Sequence, residues 1–163
     1  MPEVELDRTD RRILEELQRD GRLTNQELAE RVALSPSPCL RRVRRLEATG
    51  VIRQYVAIVD TEKVGLGLLA YVSVRLQKHM DGGHAPIEQF ARDVLGWPEV
   101  VACYAMTGDM DYLLRVQVID LAHFSRFSMD TLMKHPAVVD MRSSFALKKI
   151  KDVPQAIGPA NPR

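Results

Sequence analysis

A hydrophobic period of 3.6 residues over the first fifty positions, a switch to period 2 after Gly67, and a proline signature repeated at Trp97-Pro98 and His135-Pro136 together predict an α+β chain. Three short helices come first, followed by two strand-helix-strand units. At 163 residues the chain can form one domain or two small ones with a proper core. The net charge of +1 says nothing about partners, because acids and bases also balance within residues 1–50. Any contact with a polyanion must therefore come from local clustering. Two cysteines, Cys39 and Cys103, give no disulfide framework and are expected to be buried free thiols of a reducing cytoplasm. No signal peptide is recognised and no apolar run approaches the ~20 residues of a membrane span, so a cytoplasmic protein with no membrane partner is expected.

The first helix is expected to be capped by Asp7, to bury Ile13, Leu14 and Leu17, and to end at Asp20-Gly21. Thr24-Asn25-Gln26-Glu27 has capping-box spacing, a hydroxyl at the cap and a glutamate at the third helical position. That second helix buries Leu28, Ala29 and Val32 and stops around Ala33-Leu34-Ser35. The third lies in Ser35–Gly50. Pro38 disfavours the helical region for Ser37, which places Ser37 at the N-cap, and Gly50 supplies a left-handed stop, giving a helix from about Pro38 to Thr49. Wound at ~100° per residue, Cys39, Leu40, Val43 and Leu46 form its back. Ser37, Arg41 and Arg45 lie one turn apart on the front, flanked by Arg42 and Arg44. Long helix, short helix, tight turn and arginine-faced helix is the helix-turn-helix order, with the third helix placed to enter a major groove. Arginine can bridge guanine O6 and N7 or clamp phosphate oxygens. The same four arginines are also compatible with a solvated basic face.

Val51 to Asp60 is rich in β-formers and is predicted as a hinge strand, and Asp60 to Gly67 as a linker with a helical turn. Residues 1–60 are thus read as a winged-type helix-turn-helix domain with its β-hinge, 61–151 as a second domain, and 152–163, with three prolines, as a disordered tail. In the second domain Leu68, Ala70, Val72, Val74 and Leu76 alternate with Leu69, Tyr71, Ser73, Arg75 and Gln77, a strand with one apolar face. Lys78 to Ala85 is a polar loop. Pro86 opens a helix with Ile87, Phe90, Ala91, Val94 and Leu95 inward, and strands follow at about 99–106 and 112–119. A helix over Leu121–Lys134 turns Phe124, Phe127 and Leu132 inward, and a last strand covers about 138–150. Pro98 and Pro136 each stop the helix before them. The order β-α-β-β-α-β is ferredoxin-like, with two helices on one sheet face. On the other face Leu69, Tyr71, Leu113 and Ile119 call for a partner.

Between the middle strands stands Thr107-Gly108-Asp109-Met110-Asp111-Tyr112. It is either a plain tight turn or a grip for a zwitterionic amino acid, its carboxylates meeting the ammonium and its N–H groups the carboxylate. His79, Asp81 and His84 lack a third strong partner, so no metal is expected there. Met106, Met110, Met129, Met133 and Met141 are expected to be packing residues. No Ser/His/Asp arrangement or phosphate loop stands out. Asp109 and Asp111 as an acid–base pair would need a pocket and a third group, so neither catalytic set nor cofactor is expected.

The chain resembles the leucine-responsive/AsnC family of transcription regulators over essentially residues 5–150. The features that carry the likeness are Leu6-Asp7 with Asp10 and Ile13-Leu14, Leu34-Ser35-Pro36-Ser37-Pro38-Cys39-Leu40-Arg41-Arg42, Leu46-Glu47 before Gly50-Val51-Ile52, and Gly108-Asp109-Met110-Asp111-Tyr112-Leu113-Leu114. Met110 departs from the pattern, standing where the family usually has an aromatic residue. The resemblance implies an N-terminal DNA-binding domain, and a ferredoxin-like domain for amino-acid binding and oligomerisation. It also implies dimers that assemble further, commonly to octamers, and control of amino-acid metabolism. The residues expected to contact double-stranded DNA are Thr24, Ser35, Ser37, Arg41, Arg42, Arg44 and Arg45, with Arg41 and Arg45 on base edges and Arg42 and Arg44 on phosphate. Those expected at the amino-acid effector are Met106, Gly108, Asp109, Asp111, Tyr112, Ser143 and Ser144. Two other classes compete: an architectural DNA-binding protein indifferent to metabolites, and an enzyme on the ferredoxin-like half.

Overall fold

The computed structural model describes residues 4–77 and 85–151. It comprises two compact units, 4–58 and 59–150. The loop from Lys78, with His79, Asp81 and His84, and the tail 152–163 lie outside the described residues.

In the first unit α1 (Arg8–Arg19), α2 (Asn25–Arg31) and α3 (Pro36–Ala48) enclose Ile13, Leu14, Leu28, Ala29, Val32, Cys39 and Leu46. Both predicted caps form. The Asp7 side chain accepts from the Asp10 N–H at 2.8 Å and Asp10 returns the bond to Asp7 at 3.1 Å, while Thr24 and Glu27 close the second box. At the exit of α2 the Leu34 N–H donates to the Ala29 carbonyl and the Ala33 N–H to that of Glu30, a Schellman pair that turns the chain sharply. The pair requires a left-handed residue, and here it is not glycine: Ala33 has φ 57°.

Helix α3 starts two residues before its predicted beginning, with Ser35 rather than Ser37 at the N-cap. The N–H groups of a first turn have no helical partner, so prolines at both 36 and 38 cost nothing there. The first helical bond runs from the Cys39 N–H to the Ser35 carbonyl, just past both rings. The predicted hinge strand does not form. A ladder needs a second strand, and no described residue supplies one to 53–60, where Tyr55, Val56, Ile58 and Val59 stand 51–76% exposed.

In the second unit β1 (Leu68–Leu76), α4 (Ala85–Asp93), β2 (Val100–Ala105), β3 (Tyr112–Val118), α5 (Leu121–Phe127) and β4 (Val138–Phe145) form the expected ferredoxin-like array, with sheet order β2-β3-β1-β4 and every pairing antiparallel. Ala70, Val72, Val74 and Leu76 face the helices together with Leu114, Val116 and Val118. Phe90 is fully buried among Trp97, Tyr112 and His135, with ring centroids 5.1–5.5 Å away. Several expectations fail locally, and on α4 the predicted inward residues Ile87 and Ala91 are exposed. Leu95 is 86% exposed, because α4 tightens into a 3₁₀ turn over Val94–Gly96 and carries that side chain off the apolar stripe. β4 ends at Phe145, five residues early. Met106, Met129 and Met133 are exposed rather than packed, and only Met141 joins the core rim. The uncovered sheet face carries Leu69, Tyr71, Leu113 and Tyr104.

The corner at Ala33 stores strain that glycine would relieve. Ala33→Gly should raise stability by about 0.5–1 kcal/mol, since the left-handed penalty of a side chain outweighs the extra unfolded-state freedom of glycine. A shift of the urea midpoint upward at constant m-value is the expected reading, and a downward shift would mean the corner carries no strain.

Candidate functional site

Two neighbouring pairs of arginines leave α3 in different directions. Arg42 Nη1 reaches Asp7 Oδ2 at 2.6 Å and Asp10 Oδ1 at 2.9 Å, and Arg45 Nη2 is bonded to Asp10 Oδ2. Both acceptors sit at the head of α1, and Asp10 is only 1% exposed. Carboxylate contact raises the already high affinity of the Arg42 guanidinium for its proton. Arg41 and Arg44 are exposed, and no described residue bonds to either. The outward row on α3 is therefore Ser37, Arg41 and Arg44, whereas the helical wheel had matched Arg41 with Arg45. Nothing in local periodicity distinguishes the two, because the selection is made by acids some thirty-five residues away. Thr24 spends its hydroxyl on Glu27, donating to Oε2 at 2.7 Å, while Ser35 makes no side-chain capping bond. Asn25 Nδ2 donates to the Pro36 carbonyl at 2.9 Å and ties the start of α2 to the start of α3.

In the second unit the turn between β2 and β3 passes through Gly108 at φ 106°. An open cleft of about 730 Å³ lies beside it, lined by Arg75, Leu76, Gln77, Gly108, Asp109, Met110, Val139, Asp140 and Arg142. Of the residues expected at an effector, Gly108 and Asp109 line this cleft and the others do not. Asp111 is a structural clip: its N–H donates to the Val74 carbonyl at 2.9 Å and its Oδ2 accepts the Leu76 N–H at 2.7 Å. Tyr112 lies opposite Val74 on the helix-covered side and packs its ring on Phe90, and burial pushes its phenol proton affinity up. Ser143 pairs with Val72 on that same side of the sheet, Ser144 lies opposite Tyr71 on the uncovered side, and Met106 is 46% exposed outside the cleft lining.

Arg75, Asp140 and Arg142 join the cleft from strands that local periodicity alone does not bring together. Antiparallel pairing of β1 with β4 sets Asp140 opposite Arg75 and Arg142 opposite Ser73, so all three share the uncovered face. Alternation along the last strand, combined with ferredoxin-like strand order, was the available signal. Arg75 Nη2 and Asp140 Oδ2 are 3.2 Å apart, whereas Asp109 and Arg142 have no ion-pair partner among the described residues. One free carboxylate and one free guanidinium on the rim of a single cleft suit a zwitterion. Among the described residues no cluster of three His, Cys, Asp or Glu side chains could hold a metal ion. Burial raises the proton affinity of both free cysteines, Cys39 and Cys103, which disfavours their thiolates.

Residues 69–156 match the Lrp/AsnC ligand binding domain, and residues 6–53 match a winged helix-turn-helix DNA-binding domain. The leucine-responsive regulatory protein of Escherichia coli is 41% identical over 150 residues, which is 92% of this chain and 90% of that protein. A transcriptional regulator from Neisseria meningitidis, solved as its L-Met complex, superposes with a TM-score of 0.88 at 50% identity, covering 94% of this chain and 97% of its own. An AsnC family regulator from Agrobacterium tumefaciens follows at 0.85 and 40% identity, covering 92% and 95%. No helix among the described residues is long and apolar enough to cross a membrane.

The head of α1 has a pH signature. The Asp10 N–H above all holds the Asp7 carboxyl below its usual range; burial opposes it, and the Arg42 guanidinium adds to the lowering. The native state thus binds fewer protons than the unfolded chain in acid. The stability gained is present above the unfolded value near ~3.9 and is lost as pH falls through the lower native one. Asp7→Asn keeps a good N-cap and removes the titration. Its acid limb of stability against pH should be flatter than that of the parent, and an identical limb would show that Asp7 does not contribute.

Proposed function

The chain belongs to the Lrp/AsnC family of transcription regulators, and from that premise we propose a division of labour among its residues. The protein is a DNA-binding transcriptional regulator with a helix-turn-helix unit and an amino-acid-binding unit. Its DNA-reading part runs to about residue 60 and its sensing part from there to about 151. Helix α3 enters the major groove with Arg41 on base edges and Arg44 on phosphate. The observation that carries this assignment is that these two arginines stand outward and bond to no described residue, while their neighbours are engaged by α1. Ser35 and Ser37 at the start of α3 add hydroxyls near the backbone. One such helix binds weakly, so the working unit is a dimer presenting two of them to half-sites about one turn apart. The uncovered sheet face, with Leu69, Tyr71, Leu113 and Tyr104, is the surface through which copies associate, in dimers and then larger rings such as octamers.

The effector is an amino acid held at the Gly108 turn. Its ammonium meets Asp109, and its carboxylate meets Arg142 and the N–H groups of the turn. The L-Met complex of the Neisseria relative supports methionine as the first candidate, and half-buried Met110 offers a polarizable wall for such a side chain. The ligand shifts assembly only by its differential affinity for two assembled states. The role is binding rather than catalysis, carried out in the cytoplasm on genes of amino-acid metabolism.

Arg41→Ala should cost about 1–3 kcal/mol on the preferred duplex and relax its sequence preference. Arg44→Ala should weaken preferred and scrambled duplexes alike and reduce the salt slope by about 1. Footprinting and salt titration measure both, and two unaffected variants would mean α3 does not touch DNA. For the sensing part, calorimetry with L-methionine should show binding that falls about 10-fold or more in Asp109→Asn and in Arg142→Ala, the loss of one charge-assisted bond each. Equal heats in parent and variants would place the amino acid elsewhere.

A further inference from the structure

We propose that Asp10, seconded by Asp7, is a specificity-determining positioning residue that withdraws Arg42 and Arg45 from DNA. This rests on the reading of α3 as the DNA-contacting helix. Two acids at the head of α1 offer four carboxylate oxygens, and every one is occupied. Asp7 Oδ1 takes the Asp10 N–H, Asp7 Oδ2 and Asp10 Oδ1 share Arg42 Nη1, and Asp10 Oδ2 takes both the Asp7 N–H and Arg45 Nη2. The capping box fixes where Asp10 sits before α3 is considered, since its side chain must bend back to the Asp7 N–H. A carboxylate 1% exposed cannot be left without cations, so the arginines come to it.

Spacing decides which ones. Arg42 and Arg45, three residues apart, share the side of α3 turned to α1, and Arg41 and Arg44 share the next side round. The held guanidiniums are not interred: their side chains remain 31% and 47% exposed. They lie at the surface, already neutralised. Each cation laid on phosphate strengthens binding to any sequence equally. Withholding two of four arginines in each subunit therefore lowers sequence-blind affinity while the base-reading side chain is untouched, which widens the ratio of specific to non-specific binding.

The test is Asp10→Asn, which keeps the shape and an acceptor for the Asp7 N–H and removes the charge. The full-length protein is titrated by fluorescence anisotropy against a duplex it selects from a random pool and against a scrambled duplex, across 50–300 mM salt. The scrambled duplex should bind more tightly, with a slope steeper by about 0.9 for each released guanidinium, an extra factor of about 3.5 between 200 and 50 mM. The ratio of selected to scrambled affinity should fall, and the triple variant Asp10→Asn/Arg42→Gln/Arg45→Gln should return the slope to the parent value. A folded Asp10→Asn with the parent slope, or a triple variant that keeps the steeper one, overturns the proposal. Should Asp10→Asn not fold, Arg42→Gln decides, because Asp10 keeps Arg45. An unchanged slope supports the withholding of Arg42, and a slope flattened by about 0.9 per site shows that Arg42 reaches phosphate and overturns it. Loss of affinity in Arg41→Ala in the same assay keeps the DNA-reading assignment standing whichever way the clamp falls.

Discussion

A buried carboxylate at the third position of α1 constrains the whole first unit. Breaking a buried ion pair from one side costs about 3–5 kcal/mol, against a net stability of about 5–15 kcal/mol for a domain. No arrangement of the three helices that strands Asp10 can therefore compete with one that brings Arg42 and Arg45 to it. The same carboxylate closes the N-terminal cap of α1, sets α3 against α1 through its arginines, and leaves Arg41 and Arg44 as the outward cations. Local capping, tertiary packing and the face proposed to meet DNA thus follow from one electrostatic demand.

The second unit is governed by packing rather than charge. Phe90 anchors α4 on the sheet, and its ring is bracketed by Trp97, Tyr112 and His135 from three different parts of the chain. With the helices committed to one side, charged and aromatic residues of alternating positions gather on the other. There, adjacency of β1 and β4 joins Arg75 to Asp140 and brings Arg142 beside the Gly108 turn. The cleft is a product of topology, assembled from residues up to 67 positions apart.

What could be read from the sequence was what local chemistry decides. Asp7 and the Thr24–Glu27 box announce helix starts because the unpaired N–H groups of a first turn are a local problem with a local solution. The alternation in β1 and the prolines at 98 and 136 fix the strand-helix rhythm for the same reason. What escaped was decided at a distance. Ala33 gives no hint of its left-handed turn, since the Schellman bonds and the packing around it impose that conformation. The wheel of α3 could not tell Arg44 from Arg45 without knowing where Asp10 lies. Leu95 fits an α-helical stripe and is lost from it when the last turn tightens. Residues 53–60 have the composition of a strand but no neighbour among the described residues to pair with. The resemblance implies Tyr112 and Ser143 at the ligand, and pleat parity sets both on the helix-covered side of the sheet.

The clip made by Asp111 and the ring of Tyr112 fasten one end of the Gly108 turn to the end of β1 and to the interior. A loop riveted in this way is a poor lever: little of it can swing when a small molecule settles alongside. The information carried by an occupant therefore stays at the rim, as altered charge and shape, and is legible only to another molecule laid against that rim. On the proposed reading, sensing in such a unit is a property of company, and a solitary copy would have nothing to tell.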